Sequence, residues 1–412
     1  MIDYDGLAAR FGTPLYVYDL DRVAAARRDL FDTLPEGFAL FYAVKANPHP
    51  DVLRTMREDA GRRCRVEISS TGELAAALTA GFTGADCLYT GPGKTTGELH
   101  EAIGEGVRTF SAESLTDLRR IGAVAGTHGV VAECLLRINS ATSSSSTSIR
   151  MTGTPSQFGF DSESLAEVMP ELVSTPGTRI AGAHLFSLSN AKDEESLTAE
   201  LQHTVTVAAR LQQETGVPMD FLDIGGGFSA PYAVPGERPR YGKLRGELEA
   251  ALDTHFPHWR EGAPEVACES GRYLAGDCGM LLSEVVNIKE SRGRKFVILD
   301  AGINTFGGMA GLGRLLPPAV RLVHPAGPAE EVASLVGPLC TPGDIIGREV
   351  KLPPLKIGDV VAIPNAGAYG VTSSLLMFLG RPAPVEVTVR GGEIVSVSRL
   401  GHERAYGSAA ER

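Results

Sequence analysis

Eight short apolar runs, most followed by a helical pattern, occupy the chain from residue 38 to residue 269. The strand-like runs fall at 38–45, 64–69, 86–90, 108–111, 133–138, 180–186, 221–224 and 265–269. Periodic stretches at 72–80, 95–104, 113–124, 162–173, 194–214 and 243–254 read as the helices between them. This count, spread over about 240 residues, is the pattern and size of a (β/α)8 barrel. A doubly wound open sheet alternates strand and helix in the same way, and the count of eight favours the barrel.

The alternation does not use the whole chain. Residues 12–20 read as a strand and 21–32 as a helix, ahead of the barrel pattern. After about residue 280 the helical patterns stop, and strand-like runs follow at 281–288, 295–300, 348–352, 358–364 and 384–398. The expected organisation is an N-terminal segment at 1–30 that packs with the later strands, a barrel at 31–278 and a mostly-β domain at 279–412. Residues 140–156 hold a Ser/Thr-rich insertion after the fifth strand, expected as a mobile loop or lid.

With 412 residues, two domains are the prior, and 43% hydrophobic content with 22% charged content suits an ordinary globular protein. The net charge of −11 argues against nucleic acid as a partner. No apolar run reaches the roughly 18 residues of a membrane span, and the first residues lack the basic and apolar regions of a leader. The six cysteines are scattered without a CxxC pair, so no metal site is expected, and a cytoplasmic chain with reduced thiols is.

Reactive residues recur at one place in the pattern. Lys45, Glu67, Arg137, His184, the run Gly225-Gly226-Gly227 and Glu269 all lie at or just past the C-terminal ends of the inferred strands. In a barrel those ends share one face, where active sites are built. Lys45 ends an apolar strand and precedes Asn47-Pro48, a turn signal. Its stem can simply pack while the ammonium reaches water. Alternatively it is a desolvated amine that forms a Schiff base with an aldehyde cofactor.

The other positions carry similar pairs of readings. Three glycines after the seventh strand make either a tight turn or a backbone cradle for phosphate. Glu269-Ser270-Gly271-Arg272 ends the eighth strand. Glu269 suits a ring nitrogen that must stay protonated, and Arg272 suits phosphate or Glu67; a rim ion pair is the plainer reading. His184 is a core histidine or a ring stacked on a planar cofactor. In Gly337-Pro338-Leu339-Cys340-Thr341-Pro342-Gly343-Asp344 the thiol is inert or poised to deliver a proton. Tyr369, in Asn365-Ala366-Gly367-Ala368-Tyr369-Gly370, caps a phosphate or packs.

Taken in order, these motifs resemble the fold type III pyridoxal-phosphate (PLP) decarboxylases, which include diaminopimelate and ornithine decarboxylases. The resemblance runs from about residue 12 to residue 400. It rests on Tyr42-Ala43-Val44-Lys45-Ala46-Asn47, Ser69 to Leu74, Ser156 to Phe160, the His184 strand, the triple glycine and Glu269 to Arg272. Leu299-Asp300-Ala301-Gly302, Gly337 to Cys340 and Ala366 to Tyr369 complete it. It implies PLP on Lys45, with His184 stacked on the ring and Glu269 at its nitrogen. Glu67 and Arg137 would join the cofactor site, and Gly225, Gly226, Gly227, Gly271, Arg272 and Tyr369 would surround the phosphate. Cys340 would donate a proton in the partner subunit's site, which implies a homodimer, and Asp300, Thr341 and Asp344 would meet substrate.

Two departures stand out. The motif's proline is Ser270 here, which leaves both charged groups in place. More telling is Thr341, because the diamine-type enzymes typically carry an acidic residue after the cysteine. The chain therefore resembles a branch acting on unusual substrates, such as an amino acid tethered to a carrier protein. Diaminopimelate decarboxylation is the alternative. An amino-acid racemase shares the architecture, but the cysteine and Ala-Gly-Ala-Tyr loops speak against it. A non-catalytic PLP carrier would lack the β domain.

Overall fold

A computed structural model describes residues 2–58, 61–140, 155–191, 193–307 and 319–404. The chain divides into two compact units. One comprises Arg22–Pro231 and Glu237–Asp277; the other comprises Met1–Asp21, Tyr232–Gly236 and Cys278–Arg412.

The first unit is a closed parallel barrel. Its strands are Ala39–Ala43, Cys64–Ile68, Cys87–Tyr89, Thr109–Ala112, Ala132–Asn139, Thr178–Leu185, Phe221–Asp223 and Glu265–Ser270. Each pairs with the next, and the last closes on the first through Ala267 opposite Ala39 and Ser270 opposite Tyr42. Closure excludes the open sheet. The interior is filled rather than hollow, by Phe41, Leu88, Leu135, Ala181 and Ala267. At the strands' N-terminal end, Arg65 spreads its guanidinium over Phe41 and Phe221 and pairs with Glu265 at 2.8 Å.

The helices start where small polar residues can accept their first amide protons. Ser70, Thr95, Ser114 and Asp193 each cap a helix, accepting from Glu73, Glu98, Asp117 and Ser196. Buried Lys94 donates to the carbonyls of Gly91 and Ser111, both at 2.7 Å, and to Asp117 Oδ2 at 2.8 Å. That pair ties two neighbouring strand-to-helix turns together. One barrel helix, Pro50–Arg57, is absent from the sequence reading: His49 caps it and Pro50 is its first residue, so the Asn-Pro signal marks a helix entry rather than a longer turn.

The second unit is a sheet assembled from both ends of the chain. Leu15–Asp19 lies antiparallel to Gly279–Ser291 and parallel to Val385–Arg390. Arg294–Leu299, Glu331–Val336 and Ile345–Leu352 extend the sheet on one side, Glu393–Arg399 on the other, and Val360–Ile363 pairs with Gly279–Ser291. Leu15, Val17, Leu282, Ala362, Val385 and Val387 pack its core. Two buried tyrosines of the first strand find partners, Tyr16 donating to the Thr305 carbonyl at 2.7 Å and Tyr18 to Glu386 at 3.0 Å. Of the Ser/Thr-rich insertion, 141–154 lie outside the described residues.

Candidate active site

The C-terminal ends of the barrel strands gather the chemistry. Lys45 sits on the single 3-10 turn Val44–Ala46 that follows the first barrel strand. The sequence left Lys45 either reaching water or desolvated, and it is not desolvated. Its side chain is 44% exposed and held by an ion pair, with Nζ 2.9 and 2.8 Å from the two oxygens of buried Glu67. Thr90 donates to Glu67 at 2.5 Å and lies 2.9 Å from the Ser69 hydroxyl. Lys45 is thus aimed by a three-residue chain rooted in two adjacent strands.

Across the barrel, register places Arg137, His184 and Asp223 side by side on consecutive strands. His184 is wholly enclosed. One ring nitrogen lies 2.8 Å from the Ser111 hydroxyl and the other 3.0 Å from Glu269 Oε1. The latter pair is off the line of a hydrogen bond. Burial alone would push the Glu269 carboxyl up, but His184, then Lys45 and Arg137, hold it down to about 2. Asp223 behaves oppositely: burial and the nearby Glu269 charge push it well above the usual carboxylate range.

Beyond the seventh strand, the glycine run lies too close to its neighbours for side chains. A Cβ on Gly225 would fall 2.5 Å from the Leu185 carbonyl, and one on Gly226 would fall 2.2 Å from that of Glu269. Gly271 makes the same allowance beside the lysine turn, where a Cβ would sit 2.8 Å from that of Ala46. Arg272 follows, buried, at the start of the helix Arg272–Ala275.

Arg137 is clamped between Phe158 and Phe186, with ring centroids at 5.3 and 5.7 Å. Glu113 stands 3.6 Å from its guanidinium and accepts the Gly159 amide at 2.9 Å. Glu113, Ser111, Thr90 and Asp223 escape the sequence reading. The available signal was polarity at a strand end; what the sequence hides is which of those side chains turn inward.

The remaining candidates belong to the β unit. Cys340 is the exposed one of six free cysteines. Thr341 Oγ1 accepts the Gly343 amide at 3.3 Å. Buried Asp344 accepts the amides of Ile303 and Leu339 at 2.8 and 2.7 Å, so its carboxylate is committed to shaping the cysteine loop. Asp300 Oδ1 takes the Ser283 hydroxyl at 2.6 Å and the Glu284 amide at 2.9 Å. Tyr369 and Asn365 adopt left-handed backbone conformations in one short loop, a local strain typical of functional sites.

This arrangement suits pyridoxal phosphate. Side-chain-free backbone beside Glu269, an anionic carboxylate paired with His184, and a lysine on the turn beyond the first barrel strand are groups that such a cofactor needs.

Comparison with known proteins agrees. Residues 20–276 match the family model of the pyridoxal-dependent decarboxylases, pyridoxal binding domain. An L-glutamyl-[BtrI acyl-carrier protein] decarboxylase of Niallia circulans is 33% identical, over 96% of this chain and 93% of that protein. A diaminopimelate decarboxylase of Methanothermobacter thermautotrophicus is 32% identical, over 94% and 89%. The crystal structure of diaminopimelate decarboxylase from Helicobacter pylori complexed with L-lysine superposes with a TM-score of 0.80 at 25% identity, over 96% of this chain and 95% of that one. The chain belongs to the pyridoxal-dependent decarboxylases and is a PLP-dependent carboxy-lyase of the diaminopimelate/ornithine decarboxylase family.

Proposed function

We propose that the substrate is an amino acid whose distal end carries no free ammonium, being neutral, acidic or joined to a carrier protein. The observation that carries this reading is Thr341, the uncharged residue that follows Cys340. Burying an ammonium without a charged partner costs several kcal/mol. That the Niallia circulans relative acts on a glutamyl group held by a carrier protein supports it.

In this reading Lys45 holds the cofactor, and Glu67 and Thr90 fix the direction of its Nζ. Glu269 keeps its charge toward the ring nitrogen, while His184, steadied by Ser111, lies against the ring. Gly225 to Gly227, Arg272 and Tyr369 bind the phosphate. Bound pyridoxal phosphate supplies the electron sink that accepts the bonding pair left when CO2 departs. Cys340 of the partner subunit of a homodimer returns a proton to the α-carbon. The six free thiols suit a reducing cytoplasm.

Diaminopimelate itself is the second reading, favoured by the diaminopimelate decarboxylases among the relatives. The deciding measurement compares kcat/KM for meso-diaminopimelate with that for carrier-linked and distally amidated amino acids. The conjugated substrates should win by about thirty-fold or more, the low end of the 2–5 kcal/mol that losing a charge partner costs. Efficient turnover of free diaminopimelate would overturn the proposal.

A further inference from the structure

Asp223 is the last residue of the barrel strand Phe221–Asp223 and has no exposed surface. Its two oxygens face different neighbours. Oδ1 accepts the amide of Gly225 at 2.8 Å, at the first turn of the glycine run, where the backbone is left-handed. Oδ2 is buried without a hydrogen-bond partner. One carboxylate oxygen of Asp223, one of Glu269 and a ring nitrogen of His184 all lie within 4.8 Å of one another.

Two carboxylates this close and this buried cannot both stay ionised beside one imidazole, because like charges in a dry site repel strongly. The groups that face Asp223 settle which one yields. Glu269 and Glu67 are carboxyls, Cys268 is a thiol, His184 is the imidazole shared with Glu269, and Arg137 is the one permanent cation among them. Arg137 is itself shared with Glu113. Glu269 Oε1 lies 3.0 Å from His184, while among the described residues Asp223 forms no salt bridge and its Oδ2 has no hydrogen-bond partner.

We propose that Asp223 is a neutral, protonated positioning residue that ties the glycine cradle to the Glu269–His184 pair. Oδ1 fixes Gly225, and the proton on Oδ2 points into the pair, which leaves Glu269 as its sole anion. The direction in which burial moves the Asp223 carboxyl agrees. A neutral Asp223 makes the site's charge unambiguous, since one carboxylate, not two, is offered to the ring nitrogen. The positioning half of this inference rests on Glu269 and the glycines facing the cofactor; the protonation state does not.

The test uses the full-length protein as purified. At about pH 8, where an ordinary carboxyl is ionised, infrared spectra of wild type minus Asp223→Asn should show the carbonyl band of a protonated carboxyl, shifted in D2O. Asp223→Asn should remove that band and Glu269→Gln should retain it. Absence of the band, or its survival in Asp223→Asn, would overturn the proposal. The second readout is PLP affinity. Asparagine keeps an acceptor for Gly225 and a donor toward the pair, so its dissociation constant should stay within about three-fold of wild type, whereas Asp223→Ala should weaken binding about ten-fold or more. Equal losses in both variants would overturn the neutral form. The expected band together with unchanged affinity in both variants would instead sink the cofactor placement.

Discussion

Both carboxylate oxygens of Glu67 meet Lys45 Nζ, at 2.9 and 2.8 Å, although the carboxylate is buried and the lysine is nearly half exposed. The contact directs the amine more than it stabilises the fold, because solvent screens a pair with one partner in water. Glu67→Gln should therefore cost about 1 kcal/mol or less in unfolding free energy. It should nonetheless lower the fraction of PLP retained after gel filtration, since one neutral acceptor replaces a two-oxygen clamp. Full retention with unchanged turnover would reduce Glu67 to a packing residue.

Glu269→Gln should bind PLP yet slow decarboxylation on the order of a hundred-fold, the scale of losing a catalytic proton-holding group. Its stability carries a signature in pH. A carboxyl held below its unfolded value stabilises the fold above that value and loses the contribution as pH falls through the folded one. The wild-type advantage over Glu269→Gln should be complete above about pH 4.3 and fade toward about pH 2, with a total on the order of 3 kcal/mol. Melting temperatures of the two proteins across that range would reveal it. A difference that does not change with pH would mean that His184 does not hold Glu269 ionised.

If Cys340 serves the partner's site, subunits lacking different residues should complement each other. On random mixing of Lys45→Ala and Cys340→Ala, half of the dimers are mixed, and each has one intact site of two. Recovery of about one quarter of wild-type activity is expected for a symmetric dimer. Activity that stays at the level of the single variants after proven exchange would place Cys340 outside the partner's site.

The barrel was legible because its eight strands are short apolar runs and its helices begin at Ser, Thr and Asp caps. The segments that escaped reading have local reasons. Pro50–Arg57 hides behind Asn47-Pro48, and Glu331–Val336 alternates burial with polar Glu331 and Ser334 in a Gly/Pro-rich stretch. Tyr4–Phe11 is a short helix whose only buried residue is Ala8, so no broad apolar stripe marks it.

The site was legible only where a residue was chemically conspicuous. Lys45, Glu67, His184 and Glu269 announce themselves by type and by place on a strand. Asp223 sits between Leu222 and Ile224 in the strand-like run that enters the triple glycine, where nothing local sets it apart. Glu113 and Asp117 flank Ser114 and read as helix-start residues. Asp117 does accept an amide proton there, but from Glu113, and it holds Lys94 as well. Inward direction is a property of barrel register, which no local window of sequence contains.

The strand Leu15–Asp19 is held between Gly279–Ser291 and Val385–Arg390, so the first strand synthesised has no partners until more than 260 residues later. The barrel unit, by contrast, is contiguous apart from one short excursion at 232–236. On a ribosome the barrel can close while the β unit still waits for its final strands, and Leu15–Asp19 must remain unpaired through that interval. An apolar strand kept waiting is a natural client for a chaperone. The order of synthesis thus makes the non-contiguous sheet the late and vulnerable step in making this enzyme.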